Sequence, residues 1–335
     1  MSDHIEITEG MRELLRKTAD ADERIANVAG AELALAVQTP LKEGILKGDI
    51  TDSIYIVEEF LYGVPIEYPL DMVQAADVDS FIAYTLPNHG KIPEKHVEGD
   101  YVTVPTFDIG ASIDYLLRWA KDARWNIFER AMEVLEAMFV RKINDDGWHT
   151  ILMAVSDRNI VVNDTAATAG AFTKRLVNLM KNRMKRERGG NAGSLNRGKL
   201  TDLWISVEAV GDIRDFGATE LDDFTRREMW LSEEGTFAKM WGVNLHEMDE
   251  LGVGQEYQLY FTDPANLGAA LAAADEELVV GLDLQDRRSF VMPVRDPLII
   301  REDPTYHRQR RQSWYGWQSH GFGVLDLRDV IGGSF

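Results

Sequence analysis

The segment "GSLNRGKLT", Gly193 to Thr201, has the spacing that comes nearest to a catalytic motif in this chain. It approaches the phosphate-binding pattern G-x-x-x-x-G-K-[ST], in which loop amides hold phosphates and a hydroxyl ligates Mg²⁺. Leu200 stands where that hydroxyl belongs. The loop also precedes a predicted strand, whereas the motif links a strand to a helix. We therefore predict a basic loop and no nucleotide site.

The seven histidines could in principle bind a metal or transfer protons. His149, His246, His307 and His320 lie in separate segments, and none has the HxxxH or HExxH spacing that places two rings on one helical face. A G-x-S-x-G nucleophile elbow does not occur, and the chain has no cysteine. We predict no catalytic residue, no cofactor and no metal site. A metabolic enzyme with an α+β fold is the remote alternative.

Residues 174–199 contain nine basic residues and one acid, Glu187. Three interpretations stay open for this basic stretch: a nucleic-acid contact, the solvated face of a helix, or a ring of basic loops that meets acidic neighbours in an oligomer.

A second basic segment closes the chain, where arginines precede three aromatic residues. Guanidinium groups could hold DNA, or they could make bidentate contacts with carboxylates of adjacent subunits. The aromatic side chains would then supply rigid packing area at the same contact, and packing within the chain is the third alternative. We favour an inter-subunit contact. The residues concerned are Arg308, Arg310, Arg311, Trp314, Tyr315 and Trp317.

Composition narrows the function classes. The chain has 335 residues, of which 45% are hydrophobic and 27% charged, as in ordinary globular proteins. Its net charge of −20 repels polyanions at long range, so strong general nucleic-acid binding is not expected. No apolar run approaches the roughly 20 residues that a membrane helix needs, and no secretory signal is apparent. We expect a product that stays in, or is released from, the cytosol and has no membrane partner.

One long amphipathic helix is predicted over about residues 122–144, with Asp122 as its cap and "NDDG" as its end. Its apolar residues recur at alternating spacings of three and four, which gives it a wide buried face. The residues of that face are Trp125, Phe128, Met132, Leu135 and Phe139.

Shorter elements surround this helix without βαβ regularity, which favours an α+β fold. The first 48 residues have helical patterning but few large apolar residues, so they read as an arm. Two strand-like runs, "SFIAYTL" and "DYVTVPTFDI", flank a polar connection of about a dozen residues, which predicts an extended hairpin. Further predictions are a helix in "GAFTKRLVNLMKNRMKRER", a strand leading into a helix in "LTDLWISVEAV", and strands in "EMWL", "GVNLHEM", "EYQLYF", "ELVVGLDL" and "SFVMPVRDPLII".

This order of arm, extended hairpin, long helix and returning strands resembles the major capsid proteins of tailed bacteriophages, which have the Hong Kong 97-type fold. The resemblance covers most of the chain and rests on the order of elements together with the closing segment. It implies an N-terminal arm, an E-loop hairpin, a P-domain built on a spine helix, and an A-domain. The implied boundaries are 1–50 for the arm, 51–77 for P-domain entry strands, 78–111 for the E-loop, 112–185 for the P-domain with the spine helix, 186–276 for the A-domain with its basic loop, and 277–335 for the closing P-domain strands.

The resemblance further implies a shell subunit that forms pentamers and hexamers and encloses double-stranded DNA without binding it strongly. Lys91 and Lys95 lie in the segment similar to the E-loop and are expected to contact a neighbouring subunit. Portal, scaffolding and decoration proteins are possible partners, and the virion, assembled in host cytoplasm, is the expected location. A compartment of the encapsulin type, which encloses a cargo enzyme, is the alternative within the same fold.

Overall fold

The structure is a computed structural model that describes residues 9–18, 23–48, 53–69, 101–122, 125–158, 161–165, 168–186, 198–216, 239–263, 272–285 and 287–335. The helices are α1 (Glu9–Lys17), α2 (Glu23–Gly48), α3 (Leu117–Lys121), α4 (Trp125–Arg158), α5 (Lys174–Arg186), α6 (Val207–Asp215) and α7 (Glu256–Thr262). The strands are β1 (Ile56–Glu59), β2 (Glu67–Pro69), β3 (Tyr101–Thr103), β4 (Phe107–Leu116), β5 (Val161–Asn163), β6 (Asp202–Ile205), β7 (Lys239–Met240), β8 (Val243–Glu247), β9 (Leu278–Leu282), β10 (Phe290–Asp303), β11 (Arg311–His320), β12 (Gly323–Val324) and β13 (Val330–Ser334). Of the helices in these ranges, none combines the length and apolarity needed to cross a bilayer.

The chain divides into two compact units. The first consists of Met1–Ile66, Thr103–Trp148 and Val291–Gly323, and the second of Glu67–Val102, His149–Phe290 and Val324–Phe335. Both units are therefore assembled from segments that are distant in sequence.

The first unit is built on a sheet with the order β1-β10-β11-β4, to which β12 adds beside β10. Strand β11 is the centre of this sheet because it pairs antiparallel with β10 on one side and over its full length with β4 on the other. Gly321, which follows β11, permits a close approach, since a Cβ there would lie 2.2 Å from the carbonyl oxygen of Pro105.

Helix α4 covers one face of this sheet with the predicted apolar stripe. Phe128, Met132, Leu135 and Phe139 are all buried. The Phe128 ring meets Trp314 of β11 edge-on at a centroid distance of 5.8 Å. The stripe is thus the core of the first unit, as the spacing predicts.

Two helices of the N-terminal segment also pack in the first unit. The amide of Gln38 on α2 donates to the carbonyl of Leu298 at 2.8 Å, and Gly30 lies against the Glu302 side chain, both on β10. Leu33, Val37 and Leu41 are buried. This segment is helical as expected, and it is buried against β10 because its own apolar residues are too few to form a core.

The second unit contains a six-stranded sheet with the order β5-β13-β9-β6-β8-β7. Strands β6, β9 and β13 at its centre are buried along their whole lengths. Helices α5 and α6 share one apolar core with this sheet; its members include Leu176, Met180, Val210, Leu203 and Ile331.

Three of the secondary-structure predictions are wrong. The run "DYVTVPTFDI" forms two strands, β3 and β4, because Pro105 between them has no N–H to donate to a sheet. Helix α4 does not end at "NDDG" but continues to Arg158, because Trp148, Ile151, Leu152 and Val155 carry the buried stripe onward. The segment "EYQLYF" is helix α7 and not a strand.

Most other predicted elements are present: the helix in residues 174–186, the strand and helix in residues 202–215, and strands β8, β9 and β10. The hairpin run "SFIAYTL" and the strand "EMWL" lie outside the described residues.

Candidate functional site

Strand β11 carries four of the eight residues predicted to contact a neighbouring subunit, and it distributes them over both faces of its sheet. Trp314 faces α4 and is only 1% exposed. Its indole N–H donates to the Tyr115 hydroxyl at 3.2 Å. Trp314 therefore packs within its own chain, which is one of the three alternatives for this segment.

A buried hydrogen-bond network surrounds Trp314. The Tyr115 hydroxyl donates to Oε1 of Gln312 at 3.2 Å, and Thr18 of the N-terminal segment donates to the same oxygen at 3.3 Å. The Gln312 amide donates in turn to Glu302 at 2.9 Å. Burial raises the pKa of Tyr115, so the phenol stays protonated and able to donate. Sequence reasoning missed this network because its members are far apart in the chain.

The other face of β11 presents half-exposed aromatic side chains. Tyr315 and Trp317 stack with centroids 5.5 Å apart and an interplanar angle of 18°. The guanidinium of Arg301 on β10 lies 5.3 Å from the Trp317 centroid, a cation–π distance. This stacked surface of Arg301, Tyr315 and Trp317 has the composition of a protein contact site.

The three predicted arginines occupy a turn and the strand that follows it. Arg311 bonds Asp114 of β4 at 2.8 Å, and both side chains are exposed. Arg310 has a positive φ of 58° and an exposed side chain, while its carbonyl accepts from the amide of Leu117. Arg308 belongs to the short 3-10 helix Pro304–Gln309, in which the structure describes its backbone but not its side chain.

Three further predicted residues fall wholly or partly outside the described part of the chain. Lys91 and Lys95 lie in the undescribed residues 70–100, and only the backbone of Trp125 is described. Their predicted contacts stay predictions, as does the inter-subunit role of the arginines and aromatic residues on β11.

His320, at the end of β11, is fully buried between the rings of Phe107 and Phe322, with centroid distances of 5.1 and 5.2 Å. Neither ring nitrogen has a hydrogen-bond partner among the described residues. Burial lowers the pKa of His320 to about 4, an effect that nearby Asp146 opposes and Lys142 reinforces. The histidine is therefore a neutral core residue at physiological pH.

The end of the nucleotide-like loop meets carboxylates of its own chain. The amide of Gly198 donates to Asp329 at 3.3 Å, and the amide of Lys199 donates to Asp283 at 2.6 Å. Strand β6 follows directly. The nucleotide-like segment therefore precedes a strand, as predicted. The two backbone amides that a phosphate would require as donors already donate to aspartates.

The fold is shared with solved capsid structures. The chain is similar to a structure from Microbacterium phage Oxtober96, with a TM-score of 0.57, 9% identity, and coverage of 86% of this chain and 90% of the other. It is similar to the capsid of an empty GTA particle, with a TM-score of 0.53, 12% identity and coverage of 86% and 90%. A third structure, the capsid of Myoviridae phage XM1, has a TM-score of 0.50, 13% identity and coverage of 85% and 90%.

No protein-family model matches the sequence, and none of the curated proteins matches it either. At such low identity, three-dimensional likeness defines the fold. The chain has an α+β fold of the Hong Kong 97 type, which confirms the fold class predicted from the order of its elements.

Proposed function

We propose that this chain is the subunit of a protein shell, a major capsid protein that self-assembles into pentamers and hexamers. The observation that carries the proposal is the fold shared with the capsid of the empty GTA particle, which extends over 86% of this chain and 90% of that one. The likeness thus spans nearly the whole of both subunits.

The shell encloses double-stranded DNA in a virion that is assembled in the host cytoplasm. A net charge of −20 suits such a container, because an acidic subunit does not adhere strongly to the polyanion inside it. Portal, scaffolding and decoration proteins are the additional partners that a virion would require.

The role is structural and not catalytic. Two features that first suggested chemistry are accounted for within the fold: the His320 ring lies among aromatic rings, and the backbone amides of Gly198 and Lys199 donate to carboxylates. The stacked surface of Arg301, Tyr315 and Trp317 is one candidate for contact between subunits, together with Arg311 and the loop that contains Lys91 and Lys95.

The test is assembly of the purified chain. We expect size-exclusion chromatography to give a high-mass species and electron microscopy to show uniform closed shells or capsomer rings. A small discrete monomer or dimer under every assembly condition would contradict the proposal. The contents of native particles distinguish a virion from a cargo compartment. Nuclease-protected DNA indicates a virion, whereas a co-purifying enzyme without DNA indicates a cargo compartment.

A further inference from the structure

Two opposite edges of the sheet in the second unit differ in charge. Strands β6 and β8 run parallel, with Asp202 beside Asn244 and Ile205 beside Glu247. Their amino ends therefore lie at one edge and their carboxyl ends at the other. The side chains that gather at these two edges come from segments that are separate in sequence.

The amino ends carry a basic edge, which we define as Lys181, Lys185, Lys199 and Lys239. The Lys181 ammonium donates to the carbonyl of Trp241 at 2.8 Å, which places α5 beside the turn that leads into β8. Lys199 precedes β6, and Lys239 on β7 pairs with Asn244 near the start of β8. Lys185, Lys199 and Lys239 are exposed.

Three lysines of the basic edge, Lys181, Lys185 and Lys199, lie close together. Burial lowers the pKa of Lys181, and the neighbouring charges of Lys199 and Lys185 lower it further. None of the four forms an ion pair with a carboxylate in the described part of the chain. The ammonium groups of Lys185, Lys199 and Lys239 therefore stay exposed and unpaired in the described part of the chain, although buried carboxylates lie beneath them.

Three buried aspartates at this edge accept hydrogen bonds from other donors, and one of them, Asp329, accepts from the amide of Gly198 at 3.3 Å. Asp283 accepts from the amide of Lys199, and Asp202 accepts from the Asn244 amide at 2.9 Å and contacts His246 at 2.8 Å. Burial alone would raise the pKa of Asp202, but hydrogen bonds from His246, Thr201 and Asn244 hold it below its ordinary value. These carboxylates are therefore held inside the fold, while the exposed lysines face outward.

The carboxyl ends carry an acidic edge, which we define as Glu208, Glu247, Asp249 and Glu250. Glu247 ends β8, and Asp249 and Glu250 follow it. Glu208 lies in the first turn of α6, directly after β6, and its carboxylate lies against Gly252. All four side chains are exposed.

The two edges are far enough apart to act independently. Strands of four and five residues separate them, and at about 3.3 Å per residue this is about 13–17 Å. The Debye length is about 10 Å at 0.1 M ionic strength, so neither edge neutralises the other within one copy.

We propose that the basic edge of one copy docks against the acidic edge of the next copy, head to tail, around a capsomer ring. This inference rests on the proposed shell function and names the surfaces that join subunits in the ring. Two different complementary faces on one subunit define a heterologous contact, and such contacts close into rings when the rotation between copies permits.

Charge complementarity favours a second copy over a nucleic acid as the partner of the basic edge. The acidic edge of a second copy supplies four exposed acidic side chains at fixed positions to match the four lysines. A DNA contact for the basic edge is therefore the competing outcome of the test.

The test uses two charge reversals and their combination in the full chain. Lys185→Glu with Lys199→Glu reverses the basic edge, and Glu247→Lys with Glu250→Lys reverses the acidic edge. Each pair should reduce the yield of rings or shells at least about tenfold, because like charges then face each other. All four substitutions in one chain should restore assembly, because the edges become complementary again with opposite signs.

Arg12→Glu with Arg141→Glu is the matched control for the reversed basic edge, since these exposed residues lie in the first unit and change the net charge by the same amount and sign. It should assemble normally. Circular dichroism of every variant verifies folding, and the four-substitution chain keeps the test decisive if one pair folds poorly.

If the unmodified chain never assembles, the shell function itself fails. If it assembles and both reversed pairs assemble equally well, only the docking of the edges is overturned. If the variant with the reversed basic edge forms normal shells that contain no DNA, the basic edge binds nucleic acid and not a second copy.

Discussion

A single buried residue, His320, gives this chain a built-in sensitivity to acid. The imidazole is enclosed by Phe107 and Phe322, and its nitrogens have no hydrogen-bond partner among the described residues. An imidazolium in such a place would lose its hydration without compensation. In the unfolded chain the same side chain would titrate near pH 6.5.

We therefore expect the stability of the chain to fall as the pH is lowered from about 6.5 towards 4. In that interval the unfolded state binds a proton that folded His320, with a pKa of about 4, does not. The contribution of His320 lowers the free energy of unfolding by at most about 3 kcal/mol between pH 6.5 and pH 4. Urea unfolding at pH 7, 6, 5 and 4.5 measures it, and His320→Leu should flatten the dependence. Stability between pH 7 and 8 should be constant in both chains. Equal slopes in both chains below pH 6.5 would count against this role of His320.

The Tyr115 hydroxyl is a second residue on which buried groups depend. In Tyr115→Phe the indole N–H of Trp314 loses its acceptor and Gln312 loses a donor. We expect a loss of about 1–3 kcal/mol in the free energy of unfolding. Tyr306→Phe, at a position that is 37% exposed, is the control and should change stability by less than about 0.5 kcal/mol. Indistinguishable denaturation midpoints for the two variants would refute the importance of the network.

At the scale of elements, α4 shows how a periodic pattern translates into stability. Leu135 is fully buried, whereas Met138, one turn further on, is 48% exposed. Leu135→Ala should cost about 2–5 kcal/mol because it leaves a cavity beneath the sheet. Met138→Ala should cost less than about 0.5 kcal/mol. Thermal or chemical denaturation checks this pair, and comparable losses would mean that the buried stripe is misplaced.

The strongly periodic elements could be predicted from the sequence, while short or interrupted ones could not. Helices α2 and α5 follow from their patterns. The segment "EYQLYF", predicted as a strand, is a helix that buries Tyr257, Gln258 and Phe261 and leaves Leu259 46% exposed. Seven residues are too few for periodicity to distinguish the two.

The end of α4 was mispredicted for a different reason. Gly147 lies in a polar run that usually stops a helix, yet its carbonyl accepts a hydrogen bond from the buried Tyr55 hydroxyl at 2.8 Å. Tertiary contacts with a residue 92 positions earlier thus outweigh the local signal.

At the scale of the whole molecule, the parts that sequence reasoning missed are those that depend on distant pairing. The basic stretch was visible as a run of residues 174–199, but the acidic edge was not. Its members become neighbours only because β6 and β8 pair and because α6 starts directly after β6. The order of elements nevertheless sufficed to identify the fold, since that order is a property of the entire chain.

The overall charge also bears on assembly as a whole. In the proposed shell, copies with a net charge of −20 would repel each other at distances shorter than the screening length, so local contacts would have to overcome that repulsion. Added salt weakens both the repulsion and the attraction between the edges. Salt dependence alone is therefore a poor measure of the contacts, and substitutions of individual side chains are the better one.

In the proposed ring, the opposite charges at the two ends of β6 and β8 would give each copy a direction, comparable to a monomer with two different reactive ends in polymer chemistry. A chain in which only one edge is functional is then a chain stopper. Mixed with the unmodified chain, it would join a growing ring once and block the next addition. Complete rings would disappear faster than the fraction of altered copies increases, so such a variant would act dominantly over the unmodified subunit.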